Sequence, residues 1–306
     1  MTTELLALMW VPFLMCLVLT GIHAYLGIHV IAREVVFVDI ALAQIAALGA
    51  TTAFVFGWEL ETWESYAFGL GFTIVGALVL ALSRTRERHV SQEAIIGVVY
   101  AVTSAAAVLV ADRTPHGMEH LRGMLVGSIL SVGGVEVIKV ALLYAAIGAL
   151  HWLCRRPFFL ISTNPDQAFR DGLAVRWWDF LFYASFGVVV TSSVRIAGVL
   201  LVFSYLIVPA LAGIVLGGSL AARLVIGWSF GVIVSVIAMV GSAALDLPTG
   251  ATVVCAFGVS LAILGAYARM AGRRARVLGP SALEPTALEP AALHADSRGG
   301  RLDRRS

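Results

Sequence analysis

The sequence predicts an all-α fold, a polytopic transmembrane helical bundle with eight or nine spans. Hydrophobic residues make up 59% of the 306-residue chain and charged residues only 13%, whereas soluble domains carry about 25% charged residues. A soluble monomer of this composition would expose far more apolar surface than water tolerates. The chain also contains a series of apolar segments close to the roughly 20 residues that cross a bilayer as a helix. The lipid bilayer is therefore its expected surroundings.

These apolar segments must be helices, because a spanning segment has to satisfy its backbone polar groups internally. The sixth segment is short and meets the seventh at residues 192–195. That junction is either a tight turn outside the membrane or a break within a membrane-embedded pair, so the count is eight or nine. The predicted segments are residues 5–27, 35–57, 66–83, 94–111, 132–153, 178–194, 196–217, 222–245 and 250–270.

The distribution of charge between the segments predicts their orientation. Lys and Arg are enriched in cytoplasmic loops, and the net charge of +2 gives no indication of a nucleic-acid partner. We therefore expect the arginine-rich loops and the C-terminus in the cytoplasm. The arginine-rich loops hold Arg33, Arg84, Arg86, Arg88, Arg155, Arg156, Arg170, Arg176, Arg223, Arg269, Arg273, Arg274 and Arg276. The opposite loops hold Glu4, Glu59, Glu61, Glu64, Asp112, Arg113, Glu119, Arg122 and Asp246.

The composition changes after the last apolar segment. A short degenerate repeat of Ala, Leu, Glu and Pro runs from Ser281 to Ala295, and such a composition cannot build a packed core. We predict a transmembrane domain over residues 1–272 and a disordered cytoplasmic tail over residues 273–306. The three cysteines are scattered without a CxxC pair, which indicates neither a disulfide framework nor a structural zinc site.

The longest cytoplasmic loop, residues 155–176, contains a predicted short helix. Ser162, Thr163 or Asn164 can cap it, and Pro165 lies near its first position. Asp166 lies in its first turn and Gly172 just past its end. Such a helix is either an ordinary interfacial helix or a coupling helix that docks into a separate ATPase subunit. The candidate coupling residues are Asn164, Asp166, Gln167, Arg170 and Gly172.

An outer loop carries His116, Glu119 and His120 in an H-x-x-E-H arrangement. The pattern occurs in inverted zinc proteases, but those enzymes need it on a stable helix with a further ligand and a cavity for water. Here Pro115 flanks the motif and Gly117 interrupts it. The interpretations are a solvated polar loop, a weak metal-binding site at the outer mouth, or a membrane metalloprotease.

Three residues within the apolar segments are candidates for function. Ionisable groups at membrane depth usually face a pathway or a bundle interior, which makes Asp39 a pathway candidate together with Gln44. Five residues apart on a helix, these two side chains are separated by roughly 140° and do not share one face. The alternative for Asp39 is a position at the cytoplasmic interface beside Arg33. Pro209 removes one helical hydrogen bond and predicts a hinge.

Six segments in order resemble the ABC-3 family of metal permeases, the membrane subunits of bacterial importers for zinc, manganese and iron(II). The resemblance runs from about residue 10 to residue 270. The segments read GIHVIAREVVFVDIALAQIAALG, EAIIGVVYAVTSAAAVLV, MLVGSILSV, NPDQAFRDGL, RIAGVLLVFSYLIVPALAG and ALDLPTGATVV.

This resemblance implies a permease subunit in the bacterial inner membrane, paired with a second copy as a homodimer. It further implies two cytoplasmic ABC ATPase subunits, which bind the ATP, and an extracytoplasmic metal-binding protein that delivers the substrate. The transported divalent metal ion would be cargo, with no covalently bound cofactor. It also favours the coupling interpretation of residues 164–172.

The second span departs from the family pattern D-A-L-S-H, in which Asp and His lie four residues apart on one face. Aligning A-L-A-Q of this chain with A-L-S-H puts Gln44 at the histidine position and Ile40 at the aspartate position, with Asp39 one residue early. Glutamine is a far poorer zinc ligand than imidazole. The choice among zinc, manganese, iron(II) and a metal chelate therefore stays open.

Two other functional classes remain as alternatives at this point. A secondary transporter often shows inverted internal repeats, and the sequence contains no convincing repeat of that kind. The other is the metalloprotease built on His116, Glu119 and His120. The chain contains no Walker-type phosphate-binding motif, which fits a subunit that relies on a partner for ATP hydrolysis and is not itself an enzyme.

Overall fold

A computed structural model describes residues 3–59, 62–84, 91–113, 117–127 and 129–270. These residues form twelve α-helices and a short 3₁₀ turn at Ile129–Ser131, with no strand among them. The helices are α1 (Thr3–Ala32), α2 (Val38–Val55), α3 (Trp63–Leu82), α4 (Gln92–Ala111), α5 (Gly117–Val126), α6 (Gly134–Leu153), α7 (Arg155–Thr163), α8 (Pro165–Arg170), α9 (Val175–Ala197), α10 (Val199–Leu216), α11 (Leu220–Leu245) and α12 (Thr249–Met270).

Nine of the described helices, α1–α4, α6 and α9–α12, are long and apolar enough to cross a membrane. The all-α bundle predicted from the sequence is therefore confirmed, with the higher of the two expected counts. The predicted tail over residues 273–306 lies outside the described residues.

The boundary between the sixth and seventh spans lies later than the sequence predicts. Helix α9 continues through residues 192–195 and ends at Ala197. It can do so because the hydroxyls of Ser192 and Ser193 donate to the carbonyls of Val188 and Val189 at 2.8 and 2.7 Å, which satisfies both side chains inside the helix. Gly198, with φ +77°, makes the turn into α10.

The segment between α4 and α6, expected as a polar loop, contains a helix among its described residues. It contains α5, which is followed by Gly127, whose φ is +70°. A Cβ atom at Gly127 would lie 2.1 Å from the carbonyl carbon of Ala197. The close backbone approach, possible only for glycine, packs this loop against the turn between α9 and α10.

Four helices supply most of the buried interior: α1, α2, α9 and α10. Helix α1 packs against α10 and α11, α2 against α3 and α4, and α3 against α9. Close contact between α1 and α10 depends on Gly27, where a Cβ atom would lie 1.9 Å from the carbonyl oxygen of Leu206. Small residues let helix backbones approach in this way in membrane proteins.

Candidate functional site

Helix α8 forms where the sequence predicts a short helix. The Oδ1 atom of Asn164 accepts a hydrogen bond from the backbone N–H of Gln167 at 3.0 Å, so Asn164 caps the helix. Pro165 occupies the first turn, where its missing N–H costs nothing. Gly172 follows the helix with φ +73°, a conformation that favours glycine. Helices α7 and α8 share Asn164 as their junction, and we call residues 155–172 the α7–α8 segment.

The α7–α8 segment has one face anchored to the bundle and one face exposed. On the exposed face, the side-chain amide of Gln167 donates to Asp171 at 2.6 Å and its oxygen accepts from Arg170 at 2.8 Å. Asn164, Asp166 and Arg170 are exposed. The anchored face is a small apolar cluster of Ile161, Ala168 and Val175, with Leu160, Phe169, Leu173 and Trp178 packed on it.

Beside this segment lies a buried ion cluster centred on Asp179, near the start of α9. Its carboxylate accepts hydrogen bonds from Nη1 of Arg33 at 2.6 Å and from Nη1 of Arg84 at 2.9 Å. The side chains of Arg33 and Asp179 are fully buried. Burial lowers the pKa of the Arg33 guanidinium, and the Asp179 carboxylate opposes that shift. The cluster joins the ends of α1 and α3 to α9, and we call this side of the bundle the arginine end.

Ser162 of α7 connects the α7–α8 segment to the ion cluster. Its hydroxyl donates to the carbonyl of Phe158 at 2.8 Å and accepts from Nε of Arg33 at 2.8 Å. Nδ1 of His29 lies 2.9 Å from the same oxygen. Because the hydroxyl proton is already used by Phe158, His29 is the donor in this contact.

The start of α4 is held at the arginine end by two further contacts. Nε2 of Gln92 donates to the hydroxyl of Tyr183 in α9 at 3.0 Å. Glu93 accepts a hydrogen bond from the backbone N–H of Phe37, just before α2, at 3.1 Å. Polar contacts therefore connect α1, α2, α3, α4, α7 and α9 at one end of the bundle.

The candidate pathway residue Asp39 is buried in the first turn of α2, with 1% of its surface exposed. Neither carboxylate oxygen has a hydrogen-bond partner among the described residues. Arg33 forms its ion pair with Asp179 and not with Asp39. Asp39 makes no side-chain cap of α2, and Gln44 is buried on the same helix. The pathway role of the two residues and the interfacial position of Asp39 both stay predictions.

The candidate hinge residue Pro209 lies inside α10 and is packed tightly against α11. A Cβ atom at Gly227 would lie 2.6 Å from the Pro209 carbonyl oxygen, and one at Gly231 would lie 3.1 Å from the proline ring. The two glycines form the groove that receives the proline. Whether α10 bends at Pro209 during function remains a prediction.

The predicted outer motif can be followed only in part. His116 and the side chain of His120 lie outside the described residues, while Glu119 lies on the exposed surface of α5. Within the described part of the chain, no group of three or more His, Cys, Asp and Glu side chains is arranged to hold a metal ion. The weak metal-binding interpretation therefore remains a prediction.

The ion cluster is the main feature that sequence reasoning missed. In the sequence, Arg33 and Arg84 indicate orientation, Arg33 is also a possible neighbour of Asp39, and Asp179 lies within a predicted apolar segment. A usable signal was present, because an ionisable residue within a span is costly and needs a partner. The sequence does not reveal which of many loop arginines supplies it.

Comparison with known proteins places these features in a family context. The sequence profile of the ABC 3 transport family matches residues 6–268. The chain is 22% identical over 234 residues to a Haemophilus influenzae protein named "Probable iron transport system membrane protein", covering 76% of this chain and 80% of that protein. It is 21% identical over 233 residues to "Manganese transport system membrane protein MntC" of Listeria monocytogenes, covering 76% and 81%.

A solved structure shares the fold. The chain superimposes with a TM-score of 0.70 on one chain of the structure titled "PsaBC from Streptococcus pneumoniae in complex with Fab". The two chains are 17% identical, and the match covers 86% of this chain and 95% of the other.

Proposed function

Because the chain belongs to the ABC 3 transport family, we propose that it is the membrane-spanning permease subunit of an ATP-driven importer for manganese or iron(II). Membership of a transport family argues against the metalloprotease alternative, and its ABC type argues against the secondary transporter. The observation that carries the proposal is the exposed polar face of the α7–α8 segment at the arginine end of the bundle.

The arginine end is the side where an ATPase would bind. Arginine-rich loops mark the cytoplasmic side of a membrane protein, so this end faces the cytoplasm and the C-terminus lies on the same side. The exposed face of α8 carries Asn164, Asp166 and Arg170 in a fixed orientation, since its apolar face is packed on the bundle. A cytoplasmic ABC ATPase docks on this face through Asn164, Asp166, Gln167, Arg170 and Gly172.

The choice of manganese or iron(II) over zinc rests on ligand chemistry and on the relatives. Carboxylate and amide oxygens suit harder metal ions such as manganese, whereas imidazole and thiolate suit zinc. Asp39 supplies carboxylate oxygens in the second span, and Gln44 stands at the position where the family's histidine would favour zinc. The similar proteins of Haemophilus and Listeria are named for iron and manganese transport.

The complete transporter contains further copies and partners. A second copy of this chain pairs with it as a homodimer in the bacterial inner membrane, and the substrate crosses between or within the two permeases. An extracytoplasmic metal-binding protein delivers the ion to the outer end, where α5 packs on the turn between α9 and α10. Each permease copy binds one ATPase subunit.

The test uses the permease reconstituted in liposomes with its cognate ATPase. We expect manganese or iron(II), supplied with the binding protein, to stimulate ATP hydrolysis more than zinc does. The double variant Asp166→Ala/Arg170→Ala should reduce co-purification of the ATPase by about tenfold, because it removes two charged contacts from the docking face.

The matched control for the docking test is Arg113→Ala, an exposed arginine at the opposite end of the bundle. It should co-purify with the ATPase as the unaltered chain does. Normal ATPase binding by the double variant would show that α8 is not the docking surface. If zinc stimulated ATP hydrolysis as strongly as manganese and iron(II), the preference for these two metals inferred from Asp39 and Gln44 would be wrong.

A further inference from the structure

The buried ion cluster at the arginine end connects elements that are distant in sequence. Asp179 on α9 binds Arg33 after α1 and Arg84 after α3, and Arg33 also binds Ser162 on α7. Ser162 lies two residues before Asn164, the cap of α8. The polar path from α8 to the transmembrane helices is therefore Ser162, Arg33, Asp179 and Arg84, and we call these four residues the Asp179 link.

We propose that the Asp179 link transmits movement of the α7–α8 segment to the ends of α1, α3 and α9, with Asp179 as its central positioning residue. This inference rests on the proposed function, since the movement would originate in an ATPase docked on α8. Arg33, Arg84 and Ser162 are also positioning residues, because none of them needs to touch the substrate.

The buried charges of the Asp179 link explain why its ion pairs would stay intact and transmit movement. Separating a buried carboxylate from its arginine partners leaves uncompensated charge in a low-dielectric interior, which is strongly unfavourable. Arg33 and Asp179 are fully buried, so water cannot easily replace either partner. The ends of α1, α3 and α9 are consequently held to one another while the segment moves.

The joint between the link and α7 consists of hydrogen bonds to one hydroxyl. Ser162 accepts from Arg33 at 2.8 Å and contacts His29 at 2.9 Å. His29 lies in the last turn of α1, and Arg33 is the residue that follows this helix. The guanidinium of Arg33 also lies over the ring of Phe182 on α9, 3.9 Å from its centroid, which fixes its orientation. Removing the Ser162 hydroxyl therefore deletes the hydrogen bonds between α7 and the link without breaking the ion pairs.

Two variants test the link at different points. Ser162→Ala removes the joint to α7, and Asp179→Asn removes the central charge while keeping the side-chain shape. The matched control is Ser204→Ala, since the Ser204 hydroxyl is also buried but bonds only within its own helix, to the Leu200 carbonyl at 2.9 Å.

The first measurement is hydrogen exchange of the backbone amides of residues 155–172 in the purified permease, which requires neither metal nor ATPase. We expect exchange about fivefold faster in Ser162→Ala, the effect of losing one hydrogen-bonded joint. The second is the number of metal ions transported per ATP hydrolysed in the reconstituted transporter. We expect this ratio to fall about tenfold in Asp179→Asn and about fivefold in Ser162→Ala.

A purely structural role would lower the amount of folded protein without changing the ratio of transport to hydrolysis per folded transporter. An unchanged ratio in Ser162→Ala would overturn the proposal, and so would unchanged exchange in residues 155–172. Ser162→Ala retains the ion pairs and decides the matter if Asp179→Asn does not fold. Absence of ATP-driven metal uptake by the unaltered transporter would instead contradict the proposed function, and the exchange measurement would still test the connection between α7 and the link.

Discussion

Asp39→Asn is expected to reduce ATP-driven metal uptake by at least about tenfold, equivalent to the loss of about 1.4 kcal/mol of interaction with the cation. The substitution keeps the shape of the side chain and removes the anionic oxygens that a divalent ion prefers. Asp39 is buried, and its carboxylate has no hydrogen-bond partner among the described residues. A carboxylate held in this way is costly to the fold, which is consistent with a group retained for its ligand.

Stability separates this explanation from simple unfolding. Since Asn removes an unpaired buried carboxylate, the variant should unfold in detergent at the same temperature as the unaltered chain or a higher one. The matched control is Asp246→Asn, an exposed aspartate at the end of α11, which should leave both uptake and unfolding unchanged. Normal uptake by Asp39→Asn would remove Asp39 from the pathway.

Gly27→Ala is expected to give the largest loss of stability from a single added methyl group. The new Cβ atom would lie 1.9 Å from the Leu206 carbonyl oxygen and 2.8 Å from Cβ of Ala210. The obstacle is the backbone of α10, so α1 and α10 would have to separate. We expect the free energy of unfolding to fall by at least about 2 kcal/mol, as overpacking a tight contact does, measured as a lower unfolding temperature in detergent.

The same substitution elsewhere on α1 provides the control. A Cβ atom at Gly21 would meet nothing closer than the indole of Trp228 at 3.8 Å, an ordinary contact. Since alanine favours helix over glycine by up to about 1 kcal/mol, Gly21→Ala should leave stability unchanged or raise it. Equal behaviour of the two variants would contradict the close packing of α1 on α10.

The spans could be predicted from the sequence because a helix that crosses a membrane is recognised by its length and its hydropathy. The boundary at Ala197 was missed because Ser192, Ser193 and Arg195 are polar. Polar residues do not mark the end of a helix when their hydroxyls donate to the backbone carbonyl four residues earlier, as those of Ser192 and Ser193 do. Helix α5 is not predicted, because its ten residues are too polar and too few for a span.

Helix α8 could be predicted in detail because its signals are local, whereas α7, Arg155–Thr163, was not predicted. Asn164, Pro165 and Gly172 each have a fixed position relative to the helix they bound. The Asp179 link could not be predicted, since it depends on tertiary contacts between residues up to 146 positions apart. Composition indicates that a buried Asp needs a cation, but only packing decides which arginine is near.

Uptake of radioactive manganese into sealed liposomes tests the central claim most directly. The liposomes contain this permease with its cognate ATPase, the metal and its binding protein are added outside, and ATP is supplied inside with the ATPase. We predict accumulation of manganese that requires ATP and is competed by iron(II) more strongly than by zinc. Accumulation driven by an ion gradient without ATP, or no ATP-dependent accumulation of either metal, would contradict the assignment of this chain as the permease of an ATP-driven importer.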